Sequence, residues 1–349
     1  MTGELRVLLE RLLEGGDLCE DEARTLLIGL TDEAFPHPMA GAFLAALRLK
    51  GETAEEVRGF ASAMRELSLR PELPASAARA VDVVGTGGDG SGSINLSTGA
   101  ALLTAACGQP VVKHGNGSIS SRCGSADVLR ALGLPMPLDE PEAANCLSET
   151  GFTFLFAPHY HPAMRALAPV RRALGVRTVF NLLGPLTNPA APPYLVAGAW
   201  NEQAARLMAE TLTGMPVERA FVVHGAPGWD EATPVGPFVL FDVHDGRVDR
   251  EVRDPARYGI PRCAPDELVG GDAGENAARL REALSGTAGP DRDALSIGAA
   301  LAIEVSGAAP DYGSALAKVE EALTNGTAVR ILDALASRFP QPAGEAKHA

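Results

Sequence analysis

The chain has 349 residues, of which 46% are hydrophobic and 21% are charged, and its formal net charge is −14. It is long enough for two domains and can bury a substantial core. The acidic balance disfavours binding to a nucleic acid backbone unless basic residues cluster. Charged residues among the N-terminal leucines exclude a signal peptide or a membrane span there. We therefore expect a cytoplasmic protein that binds neither nucleic acid nor membrane.

The five cysteines are scattered along the chain and form no CxxC pair. This spacing is typical of reduced thiols in a cytosolic protein, and it predicts neither a disulfide framework nor a zinc or redox site. Because the chain as a whole is acidic, any anionic ligand must be held by local positive potential.

Residues 1–75 predict a small, all-helical N-terminal domain. Leucines recur at helical spacing in the stretch LRVLLERLL. Two capping boxes, Asp17 to Glu20 and Thr53 to Glu56, each predict the start of a helix. We expect four short helices over residues 3–70.

From Val81 onward, short apolar runs alternate with helical segments. The runs are AVDVV, PVVKHG, FTFLFAP, YLVAGAW and AFVVHG. This alternation predicts a larger α/β domain over residues 76–340, with a mostly parallel central sheet flanked by helices. PFVLFDVHDGRVDREV predicts a β-hairpin that turns at Asp245-Gly246. Two or three helices then close the domain, and residues 341–349 predict a disordered tail.

The run GTGGDGSGSINLST, residues 85–98, joins a predicted strand to a predicted helix. Glycines let backbone N–H groups approach a ligand closely, and a helix N-terminus favours negative charge. The loop is therefore typical of an anion site, although it matches neither a Walker A loop nor GxGxxG. For the loop taken alone, a tight turn without a ligand is the alternative.

A second polar segment, KHGNGSISSRCGSAD, covers residues 113–127 and follows another predicted strand. Lys113, His114, Asn116 and several serines would complete a polar cleft beside the glycine loop, because both lie at the carboxyl ends of predicted strands. Taken alone, the lysine and the histidine also fit an ordinary surface.

The third segment contains histidines and arginines. His159 and His161 are a weak signal for a metal, because no further ligand is clustered with them. Arg171, Arg172 and Arg177 are more informative, since an arginine fork suits a carboxylate or a phosphate. For at least one of the two adjacent arginines, a solvated helix face is the alternative.

The fourth segment, HGAPGWDEATPVGP, contains the adjacent acids Asp230 and Glu231. Mg²⁺ prefers carboxylates together with phosphate oxygens and water. Acidic pairs are also common in surface loops, so this pair is informative only beside the other segments. Together, the anion loop, the lysine, the arginines and the acidic pair predict a site for a polyphosphate substrate.

Ten ordered motifs make the sequence resemble the anthranilate phosphoribosyltransferase family over nearly the whole chain. They are GTGGD (85–89), NLST (95–98), KHGN (113–116), SS (120–121), GSAD (124–127), HPAM (161–164), PVRRALGVRT (169–178), FNLLGPLTNP (180–189), GWDE (228–231) and GGDAGENA (270–277). The resemblance implies an enzyme that transfers phosphoribose from phosphoribosyl pyrophosphate (PRPP) to anthranilate, a step of tryptophan biosynthesis. It also implies two Mg²⁺ ions per active site and a homodimer assembled through the helical domain.

The resemblance also implies roles for individual residues. The residues expected to contact PRPP are Gly85, Thr86, Gly87, Gly88, Asp89, Ser93, Asn95, Leu96, Ser97, Thr98, Lys113 and Ser121. Those expected to face anthranilate are Gly85, His114, Asn116, Tyr160 and Arg171. Lys113, His114 and Arg171 are expected to act in catalysis, and Ser97, Asp230 and Glu231 to hold metal.

The sequence departs from the family pattern at several positions near these motifs. Gly117 replaces a usual arginine, Ser93 and Ile94 replace threonine and phenylalanine, Pro227 and Trp229 change the acidic loop, and Gly298 stands for a frequent asparagine. Two alternatives therefore stay open. One is a family member with a different aromatic acceptor, and the other is a non-catalytic relative that binds nucleic acid or a protein.

Overall fold

A computed structural model describes residues 2–117 and 122–339 of the chain. Ser121, which is expected to contact PRPP, and the tail predicted over residues 341–349 lie outside these ranges. No helix within them is long and apolar enough to cross a membrane.

The N-terminal region folds into the four predicted helices. They are α1 (Thr2–Leu13), α2 (Glu20–Leu30), α3 (His37–Lys50) and α4 (Ala54–Glu66). The capping box predicted at Thr53 is confirmed: Glu56 N donates to Thr53 Oγ1 over 3.3 Å, and Thr53 N donates to Glu56 Oε2 over 2.9 Å.

The capping box predicted from Asp17 to Glu20 is wrong. Helix α2 is capped at Cys19, whose backbone N–H donates to Glu22 Oε2 over 3.0 Å. The Asp17 carboxylate instead forms an ion pair with Lys50 at 2.7 Å, and Lys50 also contacts Glu56. Because Asp17 forms this tertiary ion pair, its side chain does not form the helix cap that the local sequence pattern predicts.

The α/β region is built on one seven-stranded sheet in the order β3-β2-β1-β4-β5-β6-β7. Its first five strands are parallel and the last two antiparallel. The strands are β1 (Val81–Gly85), β2 (Val111–Gly115), β3 (Phe152–Phe156), β4 (Tyr194–Gly198), β5 (Arg219–Gly225), β6 (Phe238–His244) and β7 (Arg247–Arg253). Strands β6 and β7 form the predicted hairpin, with Asp245 and Gly246 at positive φ in its turn.

Helices flank this sheet, as the alternating pattern predicts. Before the hairpin these are α5 (Leu96–Ala106), α6 (Ser125–Ala131), α7 (Glu140–Thr150), α8 (Ala157–Tyr160), α9 (Ala168–Leu174), α10 (Phe180–Leu186) and α11 (Glu202–Leu212). After it come α12 (Ala273–Leu284), α13 (Pro290–Val305), α14 (Tyr312–Thr324) and α15 (Thr327–Arg338). Within the described part of the chain, four α-helices thus follow the hairpin, rather than two or three.

The two faces of the sheet belong to different apolar cores. One core joins strand residues such as Phe154 to α5 and α13. The other joins Leu195 and Val222 to Phe60 of α4 and Phe43 of α3. The helical region therefore packs against one face of the sheet, where Phe60 and Phe180 make an edge-to-face contact with ring centroids 6.3 Å apart.

The strand order places a switch point beside β1. From β1 the chain proceeds to β2 and β3 on one side, and later returns to β4 on the other side. In open α/β sheets, ligands bind outside the carboxyl ends of the strands at such a point. The four polar segments follow the carboxyl ends of β1, β2, β3 and β5, which lie at this edge of the sheet.

Candidate active site

The glycine-rich segment forms the predicted loop between a strand and a helix. Strand β1 ends at Gly85 and α5 begins at Leu96. Between them, four glycines have left-handed backbones that side chains rarely adopt, with φ values of 69°, 69°, 80° and 60° at Gly87, Gly88, Gly90 and Gly92. A Cβ atom would meet no protein atom within 4 Å at Gly87, Gly90 or Gly92, so this backbone faces open space.

The start of α5 adds further polar groups at this loop. Leu96, Ser97 and Thr98 form its first turn, and Thr98 is completely buried. The Thr98 hydroxyl has no hydrogen-bond partner among the described residues. Since a buried polar group normally has a partner, this orphan hydroxyl fits a site that a polar ligand completes.

The far end of the loop is fastened by residues 268–276. Ile94 N donates to Leu268 O over 2.9 Å, and Gly270 N donates to Gly92 O over 2.8 Å. Asn276 Nδ2 donates to Asn95 Oδ1 over 3.0 Å. Ser93 also pairs with Val269 in an isolated bridge. The motif GGDAGENA thus supports the glycine loop. In the sequence analysis this motif serves only to indicate the family.

Asp230 and Glu231 lie directly against this loop. Asp230 Oδ2 accepts a hydrogen bond from Gly87 N at 2.6 Å, and Asp230 N donates to Asp89 Oδ2 at 3.2 Å. Glu231 Oε1 accepts from Ser97 N, in the first turn of α5, at 3.1 Å. The structure therefore brings together the glycine loop and the acidic pair, whose segments are far apart in sequence.

Three strand-end glycines form a surface on which the acidic pair rests, here called the glycine platform: Gly85, Gly198 and Gly225. A Cβ atom at Gly198 would overlap the Asp230 carbonyl oxygen, and one at Gly225 would overlap that of Glu231. At Gly85 it would overlap the Asp230 carboxylate. Sequence reasoning missed Gly198 and Gly225, although their positions at the ends of YLVAG and AFVVHG were the available signal.

The acidic pair is strained electrostatically. Burial, followed by repulsion from Asp89, raises the pKa of Asp230, and burial with repulsion from Asp230 raises the pKa of Glu231. Within residues 2–117 and 122–339, no three His, Cys, Asp or Glu side chains converge as a complete metal site. A cation here would therefore draw its remaining ligands from hydroxyls, water or a substrate.

Lys113 lies beneath the start of α5. Its side chain is buried, and its ammonium donates to the Val83 carbonyl and to Ser97 Oγ, the latter at 3.2 Å. Burial lowers its pKa, whereas the nearby carboxylates of Asp82, Glu231 and Asp230 oppose that shift. The Lys113 ammonium, the positive charge that the sequence predicts for this site, is thus adjacent to the acidic pair and the glycine loop.

His114 follows Lys113 and is also buried. Its Nδ1 donates to Gly184 O over 3.2 Å, while Nε2 has no hydrogen-bond partner among the described residues. Burial, with a smaller contribution from His161, lowers the pKa of His114 to about 3. The imidazole is therefore neutral at physiological pH, and it makes an edge-to-face contact with the His161 ring, with centroids 5.0 Å apart.

The other three residues expected near an acceptor lie in different environments. Asn116 is half-buried, and its Oδ1 accepts from Gly117 N at 2.7 Å. Arg171 is exposed on α9, with its guanidinium 4.8 Å from the Phe180 ring centroid. Tyr160 is buried and its hydroxyl donates to Leu138 O over 3.2 Å. Its hydroxyl therefore points into the protein, and its expected contact with the acceptor stays a prediction.

Arg177 contacts the glycine loop and supports it. Its guanidinium donates to the Gly88 carbonyl and stacks over Trp200, with 4.8 Å between the guanidinium carbon and the ring centroid. Arg48 of the helical region donates to the Arg177 carbonyl over 3.1 Å. Arg172, which is adjacent to Arg171 in sequence, is exposed. This fits the solvated helix face that is the alternative for one arginine of that pair.

The structure shows what surrounds three of the residues that depart from the family pattern. Trp229 is 7% exposed and its indole packs in the apolar core with β5 and β6 residues. At Gly298 on α13, a Cβ would lie 2.8 Å from Ala100 Cβ on α5, so a larger side chain would push these helices apart. At Gly117 there is room, since a Cβ would be 3.6 Å from Asp127 Oδ1.

Comparisons with known proteins agree with this geometry. A family model described as "Glycosyl transferase family, a/b domain" matches residues 77–329, and one described as "Glycosyl transferase family, helical bundle domain" matches residues 6–68. The anthranilate phosphoribosyltransferase of Desulforudis audaxviator is 44% identical over 324 residues, which cover 93% of each chain. The chain belongs to the anthranilate phosphoribosyltransferase family.

Solved structures of this family superpose on nearly the whole chain. The anthranilate phosphoribosyltransferase of Thermus thermophilus is 39% identical, with a TM-score of 0.88, covering 95% of this chain and 99% of its own. The Saccharomyces cerevisiae anthranilate phosphoribosyltransferase, solved with PRPP and Mg, is 26% identical, with a TM-score of 0.87 and coverage of 97% and 98%. The small helical domain and larger α/β domain expected from the sequence are confirmed as this family's fold.

Proposed function

We propose that this protein transfers the phosphoribosyl group of PRPP to the amine of anthranilate and releases pyrophosphate. The observation that carries the proposal is the contact of an acidic pair, the buried Asp230 and the half-buried Glu231, with the glycine loop and the first turn of α5. Membership of the anthranilate phosphoribosyltransferase family supports the same reaction.

The glycine loop and α5 are proposed to hold the phosphates of PRPP. A Cβ atom at Gly87, Gly90 or Gly92 would meet no protein atom within 4 Å, so there is room for a ligand beside the loop, and the N-terminus of α5 favours negative charge. The buried, unpartnered hydroxyl of Thr98 supports a polar ligand at this helix start. Lys113 adds a positive charge below Ser97 and would stabilise the departing pyrophosphate.

The residues around Asp230 and Glu231 fit Mg²⁺. Oxygen donors are available from both carboxylates and from Ser97, and a cation would relieve the repulsion that raises the pKa of each acid. When bound, Mg²⁺ supplies charge neutralisation for the pyrophosphate leaving group. We propose two ions per active site, with Asp230 and Glu231 holding one of them and Ser97 with Asp89 close to the other.

The reaction breaks the bond between the ribose anomeric carbon and the pyrophosphate oxygen, and it forms a bond from that carbon to the anthranilate nitrogen. One amine proton is released. Because an aryl amine is already neutral near pH 7, the enzyme needs no strong base to activate it. His114 is neutral, with a pKa lowered to about 3, so we assign it to orienting the acceptor, and Arg171 to binding the carboxylate. Positioning and electrostatics then account for most of the catalysis.

The test follows the loss of anthranilate fluorescence with purified enzyme, PRPP and Mg²⁺. Asp230→Asn and Lys113→Ala should each lower kcat/KM by roughly a hundredfold or more, the scale of losing a charge that stabilises the leaving group. Asp245→Asn is the matched control, because Asp245 is an exposed acid in the hairpin turn and asparagine tolerates its positive φ. It should leave the rate unchanged.

Other outcomes separate the alternatives. If anthranilate stays unconsumed while calorimetry shows PRPP binding, the acceptor is a different aromatic amine, and Gly117 becomes the residue to revert. If neither binds, the catalytic interpretation is wrong, and a salt-dependent gel shift would test a nucleic-acid-binding relative. The buried position of Trp229 makes that residue a weaker reason for a changed acceptor.

We also propose a homodimer formed through the helical domain. Val7 and Leu13 on α1 are each 61% exposed, and Leu49 at the end of α3 is 87% exposed. Large aliphatic side chains exposed on the helical domain favour an interface there. Light scattering should give a dimer for the wild type and a monomer for Leu49→Glu, whereas Val252→Glu on the exposed hairpin should stay dimeric.

The proposed setting of this enzyme is the cytoplasm, without nucleic-acid or membrane partners. The scattered cysteines and the net charge of −14 support this assignment. Cell fractionation beside a cytosolic marker tests it, and recovery with the membrane pellet would contradict it.

A further inference from the structure

The sheet is split between β1 and β2. Strand β1 pairs with β4 at five positions, and β2 pairs with β3 at five, but β1 and β2 pair only at Val81 and Val111. Beyond that pair the two strands diverge toward the active-site edge, where Lys113 lies on β2.

Side chains take the place of the missing backbone pairing. Asp82 Oδ1 accepts from His114 N at 3.2 Å, and Asp82 Oδ2 accepts from Asn188 Nδ2 at 2.8 Å. Asn188 Nδ2 also donates to Val112 O over 2.8 Å. These two side chains, here called the strand clamp, therefore hold the backbone of β2 on both sides of Lys113.

The strand clamp is fully buried and its orientation is fixed. Asp82 has no exposure and Asn188 is 2% exposed. Ala190 N donates to Asn188 Oδ1 over 3.0 Å, so the amide must present its NH₂ group to Asp82 and Val112. Since buried polar groups are costly without partners, each clamp residue depends on the other.

The split also leaves room for Lys113 to cross to β1, where its ammonium donates to the Val83 carbonyl. A buried ammonium needs nearby negative charge. Asp230 and Glu231 supply part of this negative charge, but in the proposed reaction their carboxylates bind Mg²⁺. Asp82 is then the buried anion that remains with Lys113.

We propose that Asp82 and Asn188 are positioning residues for Lys113: they set the width of the β1–β2 split and so place the ammonium beneath the start of α5. This inference rests on the proposed binding of PRPP. It assigns to the clamp no contact with either substrate and no part in holding metal.

A double-mutant cycle tests whether the clamp acts through Lys113. Asn188→Ala and Asp82→Asn should each weaken binding of Mg²⁺–PRPP, measured by calorimetry, by roughly tenfold, the scale of a lost charge-assisted hydrogen bond. In a Lys113→Ala background, the same substitutions should change binding by less than about twofold, because the group they position is gone. In the Lys113-containing enzyme, kcat should fall while the KM for anthranilate stays constant.

Two further variants separate positioning from general loss of stability. Thr104→Val removes another buried hydrogen bond, from Thr104 Oγ1 to Ala100 O at the far end of α5, and should lower Tm without changing PRPP binding. The exchange Asp82→Asn with Asn188→Asp restores the bond between the two side chains and should recover part of the affinity lost in Asp82→Asn.

The outcomes are distinct. If the clamp substitutions weaken PRPP binding equally with and without Lys113, the clamp acts independently of the lysine and the inference is overturned. Unchanged binding in both clamp variants would overturn it as well. If wild-type protein binds no PRPP, the proposed function has failed instead, which the same titration shows before any variant is made.

Discussion

The residues around the expected PRPP site differ from those around the expected acceptor site in how they are held. The donor half comprises residues 85–98, Lys113 and the acidic pair Asp230–Glu231, and hydrogen bonds join these segments across the ends of β1, β2 and β5. In the acceptor half, formed by His114, Asn116, Tyr160 and Arg171, no hydrogen bond among the described residues joins two members. The expected donor site is therefore held together by hydrogen bonds at the end of the sheet, whereas the expected acceptor site consists of separate side chains.

Among the tests of this comparison, the largest expected effect comes from disturbing the glycine platform. In Gly198→Ala the new methyl group would overlap the Asp230 carbonyl, so the acidic pair must move from the glycine loop. We expect kcat/KM for PRPP to fall by roughly a hundredfold, a change of about 3 kcal/mol. Gly29→Ala is the control, since a Cβ there meets only the Phe35 ring at 4.0 Å. Normal turnover by Gly198→Ala would show that the donor half tolerates displacement.

A second test uses the opposite pH responses of the two halves. The pKa of His114 is lowered to about 3 and that of His161 to about 4, mainly by burial. Below about pH 6.5 these two histidines bind protons in the unfolded chain but stay neutral in the folded protein. The stability that the neutral histidines contribute is therefore lost as pH falls. The donor-half carboxyls have raised pKa values, so their contribution grows as pH falls.

A comparison of variants isolates the histidine contribution. Between pH 7 and pH 5, His114→Gln should lose roughly 2 kcal/mol less of its unfolding free energy than the wild type, as measured by urea denaturation. Thr104→Val, which removes a buried hydrogen bond but no titratable group, should lose as much unfolding free energy over this pH range as the wild type. Equal losses in His114→Gln and the wild type would mean that His114 is protonated in the folded protein.

The arginine pair on α9 tests the acceptor half alone. Arg171→Ala should raise the KM for anthranilate by roughly tenfold, because a charge-assisted bond to the carboxylate is lost, and should leave PRPP affinity unchanged. Arg172→Ala is the matched control, since that side chain is also exposed on the same helix. Similar behaviour of both variants would remove Arg171 from the site.

The smallest expected effect concerns the family departure at position 117. Gly117→Arg has room for its Cβ beside Asp127 and restores a cation near the acceptor half. We expect the KM for anthranilate to fall by roughly two- to threefold at low salt, with the gain lost at high salt because exposed charges are screened. Gly117→Gln should show no salt-dependent gain. An equal gain in both variants would indicate a steric cause.

The sequence was most informative where structure is local. Four N-terminal helices, the parallel strands, the hairpin at Asp245-Gly246 and the loop entering α5 follow from periodicity and turn chemistry. Asp17 was misread as a cap because Lys50, distant in sequence, takes its carboxylate. The sequence does not point to Asp82, Asn188 and Gly198, because each makes its contact with a residue from a distant segment, which no single stretch reveals.

The glycine platform has a consequence for how mutations combine. Gly85, Gly198 and Gly225 come from three strands, yet any side chain at each would displace the same acidic pair. Once one substitution has moved that pair, a second has less left to disrupt, so paired defects should be smaller than the sum of the single ones. In a saturation-mutagenesis map these three distant positions would form one epistatic group, with suppressor mutations expected in the loop that carries Asp230 and Glu231.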